Sequence, residues 1–214
     1  MEREDKLNLT AGLKKSLRKK STEAVSYLSE KEKSEKSSAA CHFFLESELY
    51  HSSDIILSYA ALKSEISTEL INSSCLRSCK KTAFPRVHEN TDDMDFYYYD
   101  FSMKENFFSR GSFGIMEPEE NERFVLNESS VSVQSKVTMI VPGLAFDKSG
   151  GRMGKGKGFY DRYIARLYEM LETSSSSLFL LGMCFDCQMF SFVPVEDHDV
   201  KMNGVVTESG LVIF

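Results

Sequence analysis

The chain contains no tryptophan and only four prolines among its 214 residues. No window reaches the roughly 18 consecutive apolar residues that a membrane-spanning helix needs. Its longest run, Leu178–Phe185, is interrupted by Gly182. The first residues, Met1-Glu2-Arg3-Glu4-Asp5, are charged and lead into no hydrophobic stretch, so no secretory signal is expected. Cysteine is sparse and odd in number, five in all. With no export signal, reduced thiols in the cytoplasm are the simple reading. Cys75/Cys79 and Cys184/Cys187 lack a nearby histidine and read as small, mostly structural residues rather than two halves of a zinc site. A formal net charge of −6 argues against a general nucleic-acid binder, so any anion site must be a local concentration of cations.

What is present suits a globular domain. Hydrophobic residues make up 42% and charged residues 27%, near the averages that separate folded chains from disordered or fibrous ones. The first 50 residues read as helical. A cationic stretch, Lys14-Lys15-Ser16-Leu17-Arg18-Lys19-Lys20, is followed by Ser29-Glu30-Lys31-Glu32, which has the pattern of a capping box. Ala40, Phe43, Phe44 and Leu49 or Tyr50 then recur at helical spacing. Strands are expected over Asp54–Ala60, Lys81–Pro85, the tyrosine-rich Asp95–Phe101, Val137–Val141, Leu178–Phe185, Val205–Thr207 and Leu211–Phe214. Helices are expected from Thr68 to about Cys79, and where Tyr160, Tyr163, Ile164, Leu167 and Leu171 fall three and four apart. Ser102–Lys136 reads as a long polar connection carrying a short element. Alternating strands and helices predict a single three-layer α/β/α domain over residues 1–214. Its central sheet is expected to be mostly parallel with helices on both faces, and the helical segment 1–50 to pack on it.

The densest chemistry lies between two of these elements. Pro142-Gly143-Leu144-Ala145-Phe146-Asp147 ends a strand. Gly150-Gly151-Arg152-Met153-Gly154-Lys155-Gly156-Lys157-Gly158-Phe159-Tyr160-Asp161 then leads into a helix. Glycine lets backbone approach a ligand closely, and free amides at a helix start attract phosphate. Arg152, Lys155 and Lys157 add formal charge. The spacing misses the dinucleotide fingerprint G-x-G-x-x-G. It also misses the Walker loop, since Gly158 stands where the magnesium-binding hydroxyl belongs. The residues therefore describe a phosphate loop of another kind, with the metal ligand moved. Asp161, on the first helical turn, is the candidate for Mg²⁺.

This stretch resembles the signature of the 5-formyltetrahydrofolate cyclo-ligase (methenyltetrahydrofolate synthetase) family, approximately R-L-G-x-G-x-G-Y-Y-D after P-G-x-x-F-D. Lys14 and Arg18 resemble that family's ATP-binding K-x-x-L-R pair, and Glu65 resembles its folate-contacting glutamate. Pro85-Arg86 resembles a strand end, and Phe113-Gly114-Ile115 with Glu117-Pro118 its aromatic-x-I-x-E-P segment. Val193-Pro194-Val195 and His198-Asp199 resemble the region carrying a second magnesium carboxylate, with His198 orienting Asp199. Phe159 departs from the family in place of a tyrosine, Asn203 in place of an aspartate and Met153 in place of leucine.

The resemblance implies an ATP- and Mg²⁺-dependent enzyme converting 5-formyltetrahydrofolate to 5,10-methenyltetrahydrofolate, with release of ADP and phosphate. It implies Arg152 and Lys157 as catalytic residues. Lys14, Arg18, Arg152, Met153, Gly154, Lys155, Gly156, Lys157, Gly158, Phe159 and Tyr160 would bind the nucleotide. Glu65, Phe113, Lys155 and Phe159 would contact the folate, with Phe113 stacking on the pterin, and Asp161 and Asp199 would hold the metal. The expected partner is this small molecule, with or without a polyglutamate tail. Neither nucleic acid nor membrane is expected as a partner, and the chain is expected to act as a monomer. A related ATP-utilising enzyme on another amide, or a non-catalytic binding module of the same fold, stays open as an alternative.

Overall fold

In the computed structural model, Ser29 begins a helix as its sequence suggests. Its hydroxyl accepts from the Glu32 amide while the Glu32 carboxylate accepts from the Ser29 amide, a closed capping box. The structure describes residues 2–88, 91, 93–99, 107–111, 116–120, 122–125, 134–172, 174–196 and 199–214, with side chains from residue 10 onward. The helices are α1 (Glu2–Ser26), α2 (Glu30–Leu45), α3 (Glu48–Ser52), α4 (Glu69–Arg77) and α5 (Phe159–Leu171). The strands are β1 (Ile55–Leu57), β2 (Lys81–Val87), β3 (Met94–Tyr98), β4 (Phe108–Arg110), β5 (Met116–Pro118), β6 (Lys136–Pro142), β7 (Ala145–Phe146), β8 (Arg152–Met153), β9 (Ser177–Met183), β10 (Gly204–Thr207) and β11 (Gly210–Ile213).

Seven strands form one sheet in the order β11-β10-β9-β6-β1-β2-β3. The inner five run parallel, and β3 and β11 close the edges antiparallel. Side chains alternate across the sheet with period two. Ile55, Leu57, Val137, Met139, Val141 and Leu180 meet Ile164 and Leu167 of α5 on one face. Ile56, Ile140, Leu181, Met183 and Val206 meet Ala40, Cys41 and Phe44 of α2 and Ile71 and Cys75 of α4 on the other. Strands covered on both sides read as unbroken apolar runs, which is why β6 was visible in the sequence. Arg166 of α5 lies 3.2 Å from Asp95 on β3, tying that helix to the sheet edge.

The sheet places the site. From the central β1 the chain steps to β2 on one side, and later strands β6, β9 and β10 build outward on the other. The reversal falls between β1 and β6, and open α/β sheets bind ligands beyond the carboxyl ends of their strands at such a point. Two features differ from the sequence reading. The glycine turn contains the two-stranded ribbon β7-β8, whose two-residue strands carry no periodic signal. The short element in the long connection is the hairpin β4-β5, packed against β2.

Candidate functional site

The chain leaves β6 at Pro142, turns through β7 and β8, and re-enters a helix at Phe159. Asp147 holds this ribbon in shape. Its Oδ1 accepts from the Ser149 amide at 2.8 Å, the Ser149 hydroxyl at 2.7 Å and the Gly151 amide at 2.9 Å. Its Oδ2 accepts from the Val193 amide at 2.7 Å. Burial works against the Asp147 charge, but these donors outweigh it and hold the carboxyl below its ordinary range. Gln188 supports the turn from outside, donating to the Gly143 and Leu144 carbonyls at 3.2 and 3.1 Å.

Beyond Met153 the backbone takes positive φ at Gly156 (97°) and Gly158 (70°), a conformation that costs residues with a β-carbon energy. Gly158 serves as the N-cap of α5 without a side-chain cap. The amides of the first turn therefore keep their intrinsic affinity for anions.

Arg152 is buried under this loop, its side chain only 3% exposed. It donates to the Pro142 carbonyl at 3.2 Å and to Asp161 Oδ1 at 2.7 Å, with its guanidinium carbon 5.8 Å from the centre of the Tyr160 ring. Its Nε is buried without a hydrogen-bond partner. Burial first, and the nearby Glu65 charge second, push the Tyr160 hydroxyl far above its ordinary pKa, so it stays a neutral donor. Lys155 Nζ lies 2.7 Å from Glu65 Oε1, while Glu65 Oε2 accepts from the Leu62 amide at 3.0 Å. Lys157 is exposed at the loop tip, where Arg162 donates to its carbonyl at 2.9 Å.

Helix α1 closes the cleft from the side. Arg18 donates through Nε to the Gly154 carbonyl at 3.1 Å. One turn earlier, Lys14 Nζ lies 2.7 Å from both Glu196 Oε2 and Asp199 Oδ2. Burial opposes the Lys14 charge, but the hydrogen bonds to Asp199 and Glu196 outweigh that and raise its pKa. Two like charges one turn apart repel in isolation. Here each has its own oxygen partner, so they coexist.

A divalent cation fits these donors. Asp161 and Asp199 are brought together, since the Val200 amide sits 3.5 Å from Asp161 Oδ1. A cation, the Lys14 ammonium, already balances Asp199 and Glu196. All three side chains offer oxygen, the ligand of a hard ion. Among the described residues no three His, Cys, Asp or Glu side chains converge on a point. Mg²⁺ commonly takes one or two carboxylates and completes its shell with water and phosphate oxygens, so Asp161 and Asp199 would be donors of the right kind.

The residues expected from the sequence thus line one cleft of about 810 Å³: Lys14, Arg18, Glu65, Arg152, Met153, Gly154, Lys155, Gly156, Lys157, Gly158, Phe159, Tyr160, Asp161 and Asp199. Phe113 and His198 lie outside the described residues. Met153 is buried with Ala145 and Val193, supporting the loop from below. Asn203 accepts from the Leu180 amide at 2.8 Å, so in this chain it braces β9.

Sequence reading passed over Glu196, Asp147 and Glu117. Glu196 lies three residues before Asp199, but its pairing with Lys14 spans 182 residues. Asp147 stood in the recognised motif with no role given to it. Glu117 likewise stood in a recognised segment without one.

A glycine-rich turn with Arg152 buried beneath it and Lys155 and Lys157 exposed on it, at the carboxyl edge of a parallel sheet, defines an α/β protein whose cleft suits an anionic group. The description "5-formyltetrahydrofolate cyclo-ligase family" matches residues 10–208, and the chain belongs to that family. It is similar to the 5-formyltetrahydrofolate cyclo-ligase of Mus musculus, 28% identical over 159 residues, covering 74% of this chain and 75% of the mouse protein. The cyclo-ligase of Haemophilus influenzae is 31% identical over 147 residues, covering 67% and 70%. Among solved structures, Aquifex aeolicus 5,10-methenyltetrahydrofolate synthetase superposes with a TM-score of 0.72 at 27% identity, over 94% of this chain and 92% of that one. A Mycoplasma pneumoniae synthetase shares the fold, with a TM-score of 0.64 at 20% identity over 91% and 98%.

Proposed function

We propose that the protein catalyses the ATP- and Mg²⁺-dependent cyclisation of 5-formyltetrahydrofolate to 5,10-methenyltetrahydrofolate, releasing ADP and phosphate. The observation that carries this is the single cleft. It joins a cationic glycine loop and two carboxylates to an apolar wall of Tyr59, Ala60, Pro85, Val87 and Met94, in a chain of the cyclo-ligase family. The phosphate end suits a nucleotide tail and the apolar end a flat ring system.

A formyl oxygen on nitrogen is a poor leaving group until phosphorylated. The γ-phosphoryl group would pass to that oxygen, forming the new P–O bond as the bond to ADP breaks. N10 would then attack the formyl carbon, lose its proton and expel phosphate. Such transfers need positioning and charge stabilisation above all. Arg152, Lys155, Lys157 and the loop amides would hold the phosphates, and Lys14 and Arg18 the rest of the triphosphate tail. Asp161 and Asp199 would hold Mg²⁺, which when bound neutralises developing charge between phosphate oxygens. Phe159, which lines the cleft, would still offer its ring for stacking on the folate without the missing hydroxyl. Glu65, already fixed by Lys155 and the Leu62 amide, would hold the folate at its N10 side.

The test is to follow methenyl-folate absorbance with purified protein, 5-formyltetrahydrofolate, ATP and Mg²⁺. A rise that requires both ATP and the metal is expected. Absence of product with intact folded protein overturns the reading, and folate-independent ATP hydrolysis would favour an NTPase instead. Full turnover in Glu65→Gln would remove Glu65 from the N10 step.

A further inference from the structure

We infer that the Lys155–Glu65 ion pair couples the two ligands of the cleft, because it withholds Lys155 from the nucleotide's phosphates until the folate takes its place on Glu65. The inference deepens the function proposed above and rests on it.

The pair joins segments far apart in the chain. Glu65 lies in the connection between β1 and α4, and Lys155 comes 90 residues later on the glycine loop. Their side chains meet at 2.7 Å, and both line the cleft.

The partners differ in freedom. Glu65 is 12% exposed, and its turn is closed twice. Its amide donates to the Leu62 carbonyl at 2.9 Å, while its Oε2 accepts from the Leu62 amide at 3.0 Å. Lys155 is 45% exposed, and an ammonium on a flexible four-carbon stem can leave its partner without disturbing packing. Arg152 is pinned instead, between Asp161 and the Pro142 carbonyl. Lys155 is thus a loop cation that can change partners.

Both oxygens of Glu65 are engaged, so a substrate donor arriving there meets Oε1 already held by the ammonium. A triphosphate reaching for Lys155 meets the same obstacle from the other side. Each ligand alone must break the pair, and whichever binds first spares the second that step. Thermodynamic linkage makes the effect mutual. A pair that forms with equilibrium constant K lowers the affinity of each competitor by a factor of 1 + K. Ion pairs with an exposed partner are weak, so a coupling of roughly two- to sixfold is expected.

An ammonium has three N–H donors, and the alternative is a bridge in which Lys155 serves Glu65 and phosphate together. Removing Glu65 would then leave Lys155 unsupported and weaken the nucleotide. The two arrangements give opposite signs.

The experiment measures, by calorimetry, the affinity of a non-hydrolysable ATP analogue with Mg²⁺. It compares wild type, Glu65→Gln, Lys155→Met and the double variant, with and without saturating 5-formyltetrahydrofolate. Without folate, Glu65→Gln is expected to bind the analogue roughly two- to sixfold more tightly than wild type. In the Lys155→Met background the same substitution should change nothing, since no ammonium is released. Folate should tighten the analogue on wild type by a similar factor, and not on Lys155→Met. Equal or weaker binding by Glu65→Gln overturns the inference. Tightening that persists in the Lys155→Met background also overturns it, being relief of charge repulsion alone. Should Glu65→Gln fold poorly, the folate-dependent gain on wild type and its loss in Lys155→Met decide. Failure of wild type to bind 5-formyltetrahydrofolate at all would refute the folate reading itself, while the comparison without folate still judges the pair.

Discussion

Arg152 Nη2 and Asp161 Oδ1 stand 2.7 Å apart, joining the strand before the glycine loop to the first turn of the helix after it. The pair closes the loop like a clasp. It also holds the Asp161 carboxylate beside the buried guanidinium. Breaking one member of a buried pair leaves the other charge uncompensated, which typically costs about 3–5 kcal/mol.

Arg152→Ala is therefore expected to lose both activity and stability. Turnover should fall on the order of 100- to 1,000-fold, as when one stabilising donor is removed from a transition state. Arg152→Lys keeps the charge but not the fork, and should recover stability better than turnover. Steady-state kinetics and thermal melting of the two variants check this.

Asp147 predicts an acid sensitivity located in the loop. Its folded pKa is depressed, so its contribution is present above the unfolded value of about 3.9 and is lost as pH falls through the lower folded value. Asp147→Asn should melt lower than wild type at neutral pH, by about 1–3 kcal/mol for the lost charged hydrogen bonds. The gap should narrow below about pH 4, as the wild-type carboxyl protonates. Equal gaps at pH 7 and at acid pH would contradict the assignment.

Lys14 bridges Glu196 and Asp199, so a nucleotide and metal bound as proposed would compete with an internal ion pair. Asp199→Asn is expected to raise the Mg²⁺ concentration needed for half-maximal activity by roughly tenfold or more. The Lys14 pKa is raised in the folded chain. Its stabilisation is complete below the unfolded value of about 10.4 and disappears as pH rises through the folded value. Lys14→Met should thus melt below wild type at pH 8, and the gap should close as pH rises past about 10.4, measured by melting between pH 8 and 11.

The thiols should separate by burial. Cys79 is exposed, Cys187 half-buried, and Cys41, Cys75 and Cys184 are buried. Burial pushes the Cys41 thiol up to about 11, away from reactive thiolate at neutral pH. A thiol reagent followed by intact mass should label Cys79 first and Cys187 more slowly. The remaining three should react only after unfolding.

Elements with a local cause were legible in the sequence. The Ser29–Glu32 box is written in four consecutive residues, and β6 and α5 announce themselves by an apolar run and a 3.6-residue period. The loop residues of the candidate site could be named because that stretch is also contiguous, whereas Lys14, Arg18, Glu65, Phe113 and Asp199 were named only through the family resemblance. Strand order was not legible, because the order β9-β6-β1-β2 depends on how separate apolar faces are covered. Nor was the ribbon of Ala145–Phe146 with Arg152–Met153, which is too short to show a period.

The amino-acid order alone determined that glycines and cations alternate between a strand and a helix, which suits that stretch to an anion, since backbone freedom and charge are properties of residues in a row. Only the folded chain decided that Lys14 meets Asp199 across 185 residues and that Glu117 sits in an apolar wall beside Val87. Those contacts arise from burying two faces of a sheet at once. Hydrophobic burial rewards area irrespective of separation along the chain, so no local pattern records which distant residues it will bring together.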